Sequence, residues 1–233
     1  MEQTDSTPTP VDEDQLMKSQ MEKMVSSYDS YMKKMTFGRE HQLREETVRL
    51  APVVPGNAVL EVGCGTGTLT LAAKRQAGPT GQVCGIDVIP GMIEASQQKA
   101  AQAGADITFQ LGSIDNIPFP DSHFDVVLCS FMIFHMSDTT RRKGITEIQR
   151  VLKPQGRWLV LDLALPPQRV QRFIAQKLFG GMLQHELREL LPVMEAAGFS
   201  KVEMGHAKFR VMGLSVLGFV RGWAEKAGRA EQN

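Results

Sequence analysis

The chain has 233 residues, 42% of them hydrophobic and 22% charged, with 26 basic side chains balanced by 26 acidic ones. That is ample for one well-packed domain and small for two. Zero net charge leaves no bulk electrostatic footprint for nucleic acid or an anionic membrane, and no apolar run approaches the ~20 residues that span a bilayer. The opening Met1-Glu2-Gln3-Thr4-Asp5 lacks the basic and apolar parts of a signal peptide, and Cys64, Cys84 and Cys129 have no paired or zinc-like spacing, so reduced thiols, a cytoplasmic location and no metal site are expected.

Residues 1–12 are polar, twice interrupted by proline, and expected to be disordered. From Glu13 to Met35 apolar residues recur at intervals of three and four (Leu16, Met17, Met21, Met24, Val25, Tyr28, Tyr31, Met32, Met35), the signature of one helical stripe. It serves either as a packed surface helix or as a lid over an apolar substrate, a task to which methionine adapts well. Arg39 to Leu50 reads as a second helix, stopped by Pro52 and Pro55. Residues 13–50 thus form an N-terminal helical segment and 51–233 the main domain.

Then alternation begins. Strands are expected at Val59–Val62, Gln82–Asp87, Ile107–Leu111, Asp125–Ser130 and Arg157–Leu163, and helices at Thr68–Ala77, Gly91–Ala103 and Thr139–Leu152. This order predicts an α/β fold, a doubly wound, mostly parallel sheet with helices on both faces. Beyond Pro166-Pro167 the spacing predicts helices over Gln168–Met182 (stopped by Gly180-Gly181) and His185–Ala197, and final strands at Lys201–Gly205 and Lys208–Val220.

The densest signal is Val59-Leu60-Glu61-Val62-Gly63-Cys64-Gly65-Thr66-Gly67. A strand carrying one carboxylate runs into three alternate glycines and then a helix, so a ligand can sit on bare backbone at a helix N-terminus. A dinucleotide fingerprint would place its third glycine at position 68, which is Thr68. Cys64 reads either as a nucleophile or as a small residue lining the loop.

Glu61 to Gly67 resembles the E/D-x-G-x-G-x-G loop of the class I S-adenosylmethionine-dependent methyltransferases. The resemblance continues through Gly85-Ile86-Asp87, Gly112 to Phe119, Phe124 to Val127 and Arg150 to Gly156, in the family's order and spacing. It implies a Rossmann-like seven-stranded sheet whose last strand is antiparallel, N-terminal lid helices, and S-adenosylmethionine as cofactor. Likeness to the ubiquinone/menaquinone methyltransferase group is general only, because Phe134-His135 stands after strand four in place of that group's Asn-bearing segment.

On this resemblance Gly63, Gly65 and Gly67 pass under the methionine and ribose. Glu61 orients the ammonium or, alternatively, pairs with a loop residue. Asp87, about 20 residues past the loop, accepts the ribose hydroxyls or else caps a helix. Met92 lies on the adenine face. The adenine amino group meets Ser113, or Asp115 from two positions on, and the Ile114 N–H meets a ring nitrogen. Ser130 faces the methionine end. His135 is the candidate base or acceptor-orienting group, or a structural histidine. Tyr28, Tyr31 and His41 are candidates from the N-terminal helices. Phe131, Met132, Ile133, Phe134, Met136, Phe173, Leu178 and Phe179 would make an apolar acceptor pocket. The expected function is methyl transfer to a small, largely apolar acceptor by in-line displacement. The alternatives are a non-catalytic S-adenosylmethionine-sensing, partner-binding module and an NAD-dependent oxidoreductase.

Overall fold

The computed structural model describes residues 10–180 and 186–225. Most of the expected disordered tail, the Gly181 stop, and Met182 and His185 lie outside these. Seven strands form one sheet in the order β3-β2-β1-β4-β5-β7-β6. They are β1 Ala58–Val62, β2 Gln82–Asp87, β3 Thr108–Leu111, β4 Phe124–Ser130, β5 Leu152–Leu163, β6 Phe199–His206 and β7 Leu217–Ala224. β7 runs antiparallel to both neighbours, and the pairs among β1 to β5 are parallel. The helices are α1 Pro10–Met24, α2 Tyr28–Met35, α3 Glu40–Leu50, α4 Thr68–Ala77, α5 Pro90–Gln102, α6 Asp138–Val151, α7 Arg169–Phe179 and α8 Leu190–Ala196.

Central strands are apolar almost throughout because both faces are covered. Leu60, Val62, Val127, Cys129, Trp158 and Val160 join one cluster with Ile145 and Ile148 of α6, while Val59, Val126, Leu128 and Leu159 join another with Leu69, Ala72 and Ala73 of α4. Each such fully buried aliphatic side chain stabilises by roughly 1.5–3 kcal/mol. Trp158 also donates its indole N–H to Cys129 Sγ at 3.3 Å.

Four boundaries depart from expectation. The N-terminal helix begins at Pro10 and breaks into a 3-10 turn at Val25–Ser27, so α1 and α2 are separate rods. β5 starts at Leu152, where the register against β4 shifts and residues 153–156 bulge out. The Gly156 Cβ position lies 2.7 Å from the Lys153 carbonyl, so only glycine fits there. The helix expected from position 185 opens instead as a 3-10 turn at Leu187–Glu189. The last strand starts at Leu217 rather than Lys208. Ala207, Phe209 and Val211 alternate like strand residues, but they plug an apolar cluster shared with Ala175 of α7; Ala207 N–H donates to the Leu217 carbonyl at 2.9 Å and Val211 bridges Leu214, without a continuous ladder.

The sheet order reverses between β1 and β4, and the glycine loop after β1 sits at this switch point, where open α/β sheets bind ligands. Gly63, Gly65 and Gly67 all have positive φ (71°, 51° and 78°). Their surroundings differ. A Cβ on Gly67 would come within 2.9 Å of Ser96 and 3.0 Å of Phe109, so Gly67 is a packing glycine between α4, α5 and β3. Gly67→Ala is therefore expected to lower the unfolding free energy by about 2 kcal/mol or more, from backbone strain plus overpacking, as read by urea denaturation. An unchanged midpoint would refute that packing role.

Candidate active site

One cavity of about 410 Å³ opens at the carboxyl ends of β1, β2 and β4, within the range of roughly 300–1,000 Å³ usual for small-molecule sites. Its floor is Gly63 and Gly65, tied down from below: Gly63 N–H and Cys64 N–H both donate to the Ile86 carbonyl, at 2.8 and 2.9 Å. Asp87, 8% exposed, closes the arrangement. Its Oδ2 accepts from Gly65 N–H at 2.9 Å and its Oδ1 from Ile89 N–H at 3.0 Å, just ahead of α5. Burial outweighs these bonds and raises the Asp87 pKa. Each oxygen keeps a lone pair for a further donor.

The structure brings Tyr28, Gly63, Gly65, Asp87, Met92, Ser113, Ile114, Ser130, Phe131 and His135 to this one cavity. Tyr28 lies over Gly65, its ring 3.6 Å from where a Cβ would stand. Ser113 Oγ donates to Asp115 Oδ1, so the serine remains an acceptor beside the aspartate, which also lines the cavity. Phe131 holds φ at +56°, a region that costs an aromatic residue about 1–3 kcal/mol. Its N–H donates to the Leu161 carbonyl at 3.0 Å, so the strain sits in the cavity wall.

Other expectations are corrected. Glu61 does not line the cavity. It lies beneath it, 3% exposed, accepting from Thr70 Oγ1, and burial pushes its pKa up to about 8 against the pull of that bond and of Arg44. Gly67 is absent from the lining for the packing reason above. Tyr31 is 38% exposed and is not in the cavity lining: it shares α2 with Tyr28 but sits three residues on, about 60° round the helix. Phe134 packs toward the main core, 5.5 Å under the Arg141 guanidinium. His41 pairs with Glu45 on the surface. Phe173 and Leu178 are 62% and 54% exposed, since the buried side of α7 is the one bearing Ala175. Cys64 is only 5% exposed, and burial above all drives its thiol far above the ordinary range, which disfavours the nucleophile reading.

Two groups escaped the sequence reading. Arg44 of α3 is 5% exposed. It pairs with Glu40 at 3.0 Å and donates to Ser130 Oγ at 3.3 Å, placing a guanidinium directly behind the cavity wall. Asp14 of α1 accepts from Ser137 N–H (2.7 Å), Ser137 Oγ (3.0 Å) and Thr140 Oγ1 (2.7 Å). It pins α1 across the cavity onto the start of α6, where a negative charge also suits the helix dipole. From α1, Asp14, Gln15, Met17, Lys18 and Met21 all face the cavity. The landmark at Asn116 to Phe119 has a structural reason as well. Arg150 donates to the Ile117 and Phe119 carbonyls and Glu147 accepts from Ile117 N–H, which clamps that loop to α6.

Residues 59–156 match the family model described as a methyltransferase domain. The chain is 34% identical to a demethylmenaquinone methyltransferase of Symbiobacterium thermophilum over 71% of its own length and 66% of that relative's. It is also 34% identical to a ubiquinone/menaquinone biosynthesis C-methyltransferase of Burkholderia thailandensis, covering 60% of this chain and 57% of the relative. The chain thus spans just under two thirds or less of these relatives' length, and the matches support a class I S-adenosylmethionine-dependent methyltransferase. A solved S-adenosylmethionine-dependent methyltransferase of Aquifex aeolicus shares the fold, with a TM-score of 0.65 at 20% identity over 87% of this chain and 97% of that one. S-adenosylmethionine is accordingly the cofactor. The cavity suits it: bare glycine backbone at the floor, a buried carboxylate at one edge, and three acids (Asp14, Asp87, Asp115) against one ammonium (Lys18) for a ligand with cationic centres.

The raised Glu61 pKa carries a sign. In the unfolded chain the carboxyl ionises near its model value of 4.5, in the folded one near 8. Its contribution is thus fully present below pH 4.5 and is lost as pH climbs toward 8. Relative to Glu61→Gln, the wild type is expected to lose unfolding free energy steadily across that window in urea titrations. Parallel pH profiles for the two proteins would contradict it.

Proposed function

We propose that the protein transfers a methyl group from S-adenosylmethionine to a small, largely apolar acceptor, as a cytoplasmic enzyme whose α1 to α3 segment caps the main domain. The observation that carries this is a shared lining: one cavity is bordered both by Gly63, Gly65 and Asp87 and by Met17, Met21, Phe131, Met132 and Met136. Unbranched, polarisable thioethers conform to varied flat or irregular apolar shapes. The relatives' names, demethylmenaquinone and ubiquinone/menaquinone methyltransferase, point toward apolar acceptors too.

The residues divide the work. Asp87 would accept the ribose hydroxyls, Met92 and Ile89 would pack the adenine, and Ser113 or Asp115 would accept its amino group. Gly63 and Gly65 would let the methionine part lie on the backbone. Ser130, backed by Arg44, would receive its carboxylate. When bound, S-adenosylmethionine supplies an activated methyl group for in-line displacement. Tyr28 and α1 shield that end from water, and Asp14 holds α1 in place. Alignment of acceptor and methyl group can supply on the order of 7–11 kcal/mol of barrier reduction. An imidazole nitrogen of His135 would take the acceptor's proton where there is one to take.

The test is methyl incorporation from labelled S-adenosylmethionine across a panel of apolar metabolites, quinols included. Wild type should methylate at least one of them. Asp87→Ala should bind the cofactor roughly 100-fold more weakly, the worth of two lost hydrogen bonds to a charged group. Full cofactor affinity with no product from any acceptor would overturn the catalytic reading.

A further inference from the structure

α7 shows three different sides. Ala175 and the partly buried Phe179 pack into the cluster that also holds Phe131, whose ring borders the cavity. Pointing outward at spacings of three and four residues are Val170 (73% exposed), Phe173 (62%), Ile174 (40%) and Leu178 (54%). The helix carries Arg169, Arg172 and Lys177 and no acid, although the whole chain is neutral. Lys177 lies over the Phe173 ring at 5.3 Å, so its charge stands above the apolar face as a snorkelling lysine does. The loop packed beside α7 repeats the pattern. Ala207, Phe209 and Val211 point in, while Lys208, Arg210 and Met212 point out, the last 60% exposed.

We propose that α7 and this loop dock on an anionic lipid surface, from which the cavity draws its acceptor. Exposed apolar side chains on one helical face, interleaved with cations and free of acids, are what a headgroup boundary selects. A protein partner of the same apolar fit would not require every charge on the helix to have one sign. Whole-chain neutrality conceals the patch: α7 itself carries no acid, and Glu46 meets the neighbouring loop at the Lys208 N–H, 2.9 Å away. As an account of acceptor supply this rests on the apolar acceptor proposed above. Vesicle binding itself needs neither acceptor nor cofactor, so the two readings fail separately.

The experiment is co-sedimentation of the full chain with vesicles of phosphatidylcholine, alone or with one-third phosphatidylglycerol. Binding is expected only to the anionic vesicles and is expected to weaken as salt rises. Both F173S/L178S and R169Q/R172Q/K177Q should lower the partition coefficient by about tenfold or more while keeping wild-type cofactor affinity and melting temperature, since all five positions are exposed. Absence of vesicle binding, equal binding by the variants, or a wild-type dimer that F173S/L178S dissolves would each overturn the proposal. Methyl transfer without vesicle binding would refute this inference alone, and vesicle binding without methyl transfer would refute the function reading alone.

Discussion

The site depends on one carboxylate tying two backbone segments together. Asp87 accepts from Gly65 N–H with one oxygen and from Ile89 N–H with the other. The first bond fixes the turn after β1, and the second fixes the chain as it leaves β2 for α5. The turn needs this tether because three residues with left-handed backbone would otherwise be mobile. Paired β1 and β2 place the partners in reach, and the Ile86 carbonyl secures the same turn from below. A single side chain thereby shapes the floor and presents its remaining lone pairs to whatever lies on it.

Around that tether the electrostatics are graded by depth. Glu61, beneath the floor and deprived of water, stays largely protonated at neutral pH, with Thr70 as its partner. Burying it ionised beside Asp87 would place two like charges in a dry core. Arg44 balances the remaining charge through Glu40, which also accepts from Thr68 Oγ1 at 2.9 Å. α3 is thereby joined to the first turn of α4, and the N-terminal segment becomes part of the site's wall. Asp29 reinforces the junction by accepting from Thr66 Oγ1 and Lys99.

How legible this was depended on how local the cause is. α4 and β2 were read with their observed ends, because glycines bound α4 and β2 is a short, almost wholly buried run. That Asp87 would stand beside the glycine turn was legible from its place at the end of the second strand together with the family resemblance. Arg44 was not, since a Glu40–Arg44 pair at i, i+4 looks like any solvated helix pair and only tertiary packing buries it. Asp14 was hidden for the same reason: its partners are far away in sequence. Phe173 and Leu178 were misassigned because apolarity shows that a side chain prefers burial, not which surface will bury it. The 207–216 loop imitated a strand because alternate insertion into a cluster leaves the same period-two imprint as a ladder.

The central claim is that the Asp87-tethered glycine turn is the ligand's seat. A crystal structure with S-adenosylhomocysteine, the product left after methyl transfer, tests it most directly. The account predicts both ribose hydroxyls within hydrogen-bonding distance of the Asp87 carboxylate, with the Gly65 N–H bond still intact. Ribose bound away from Asp87, or a turn that releases Asp87 to admit the ligand, would contradict it.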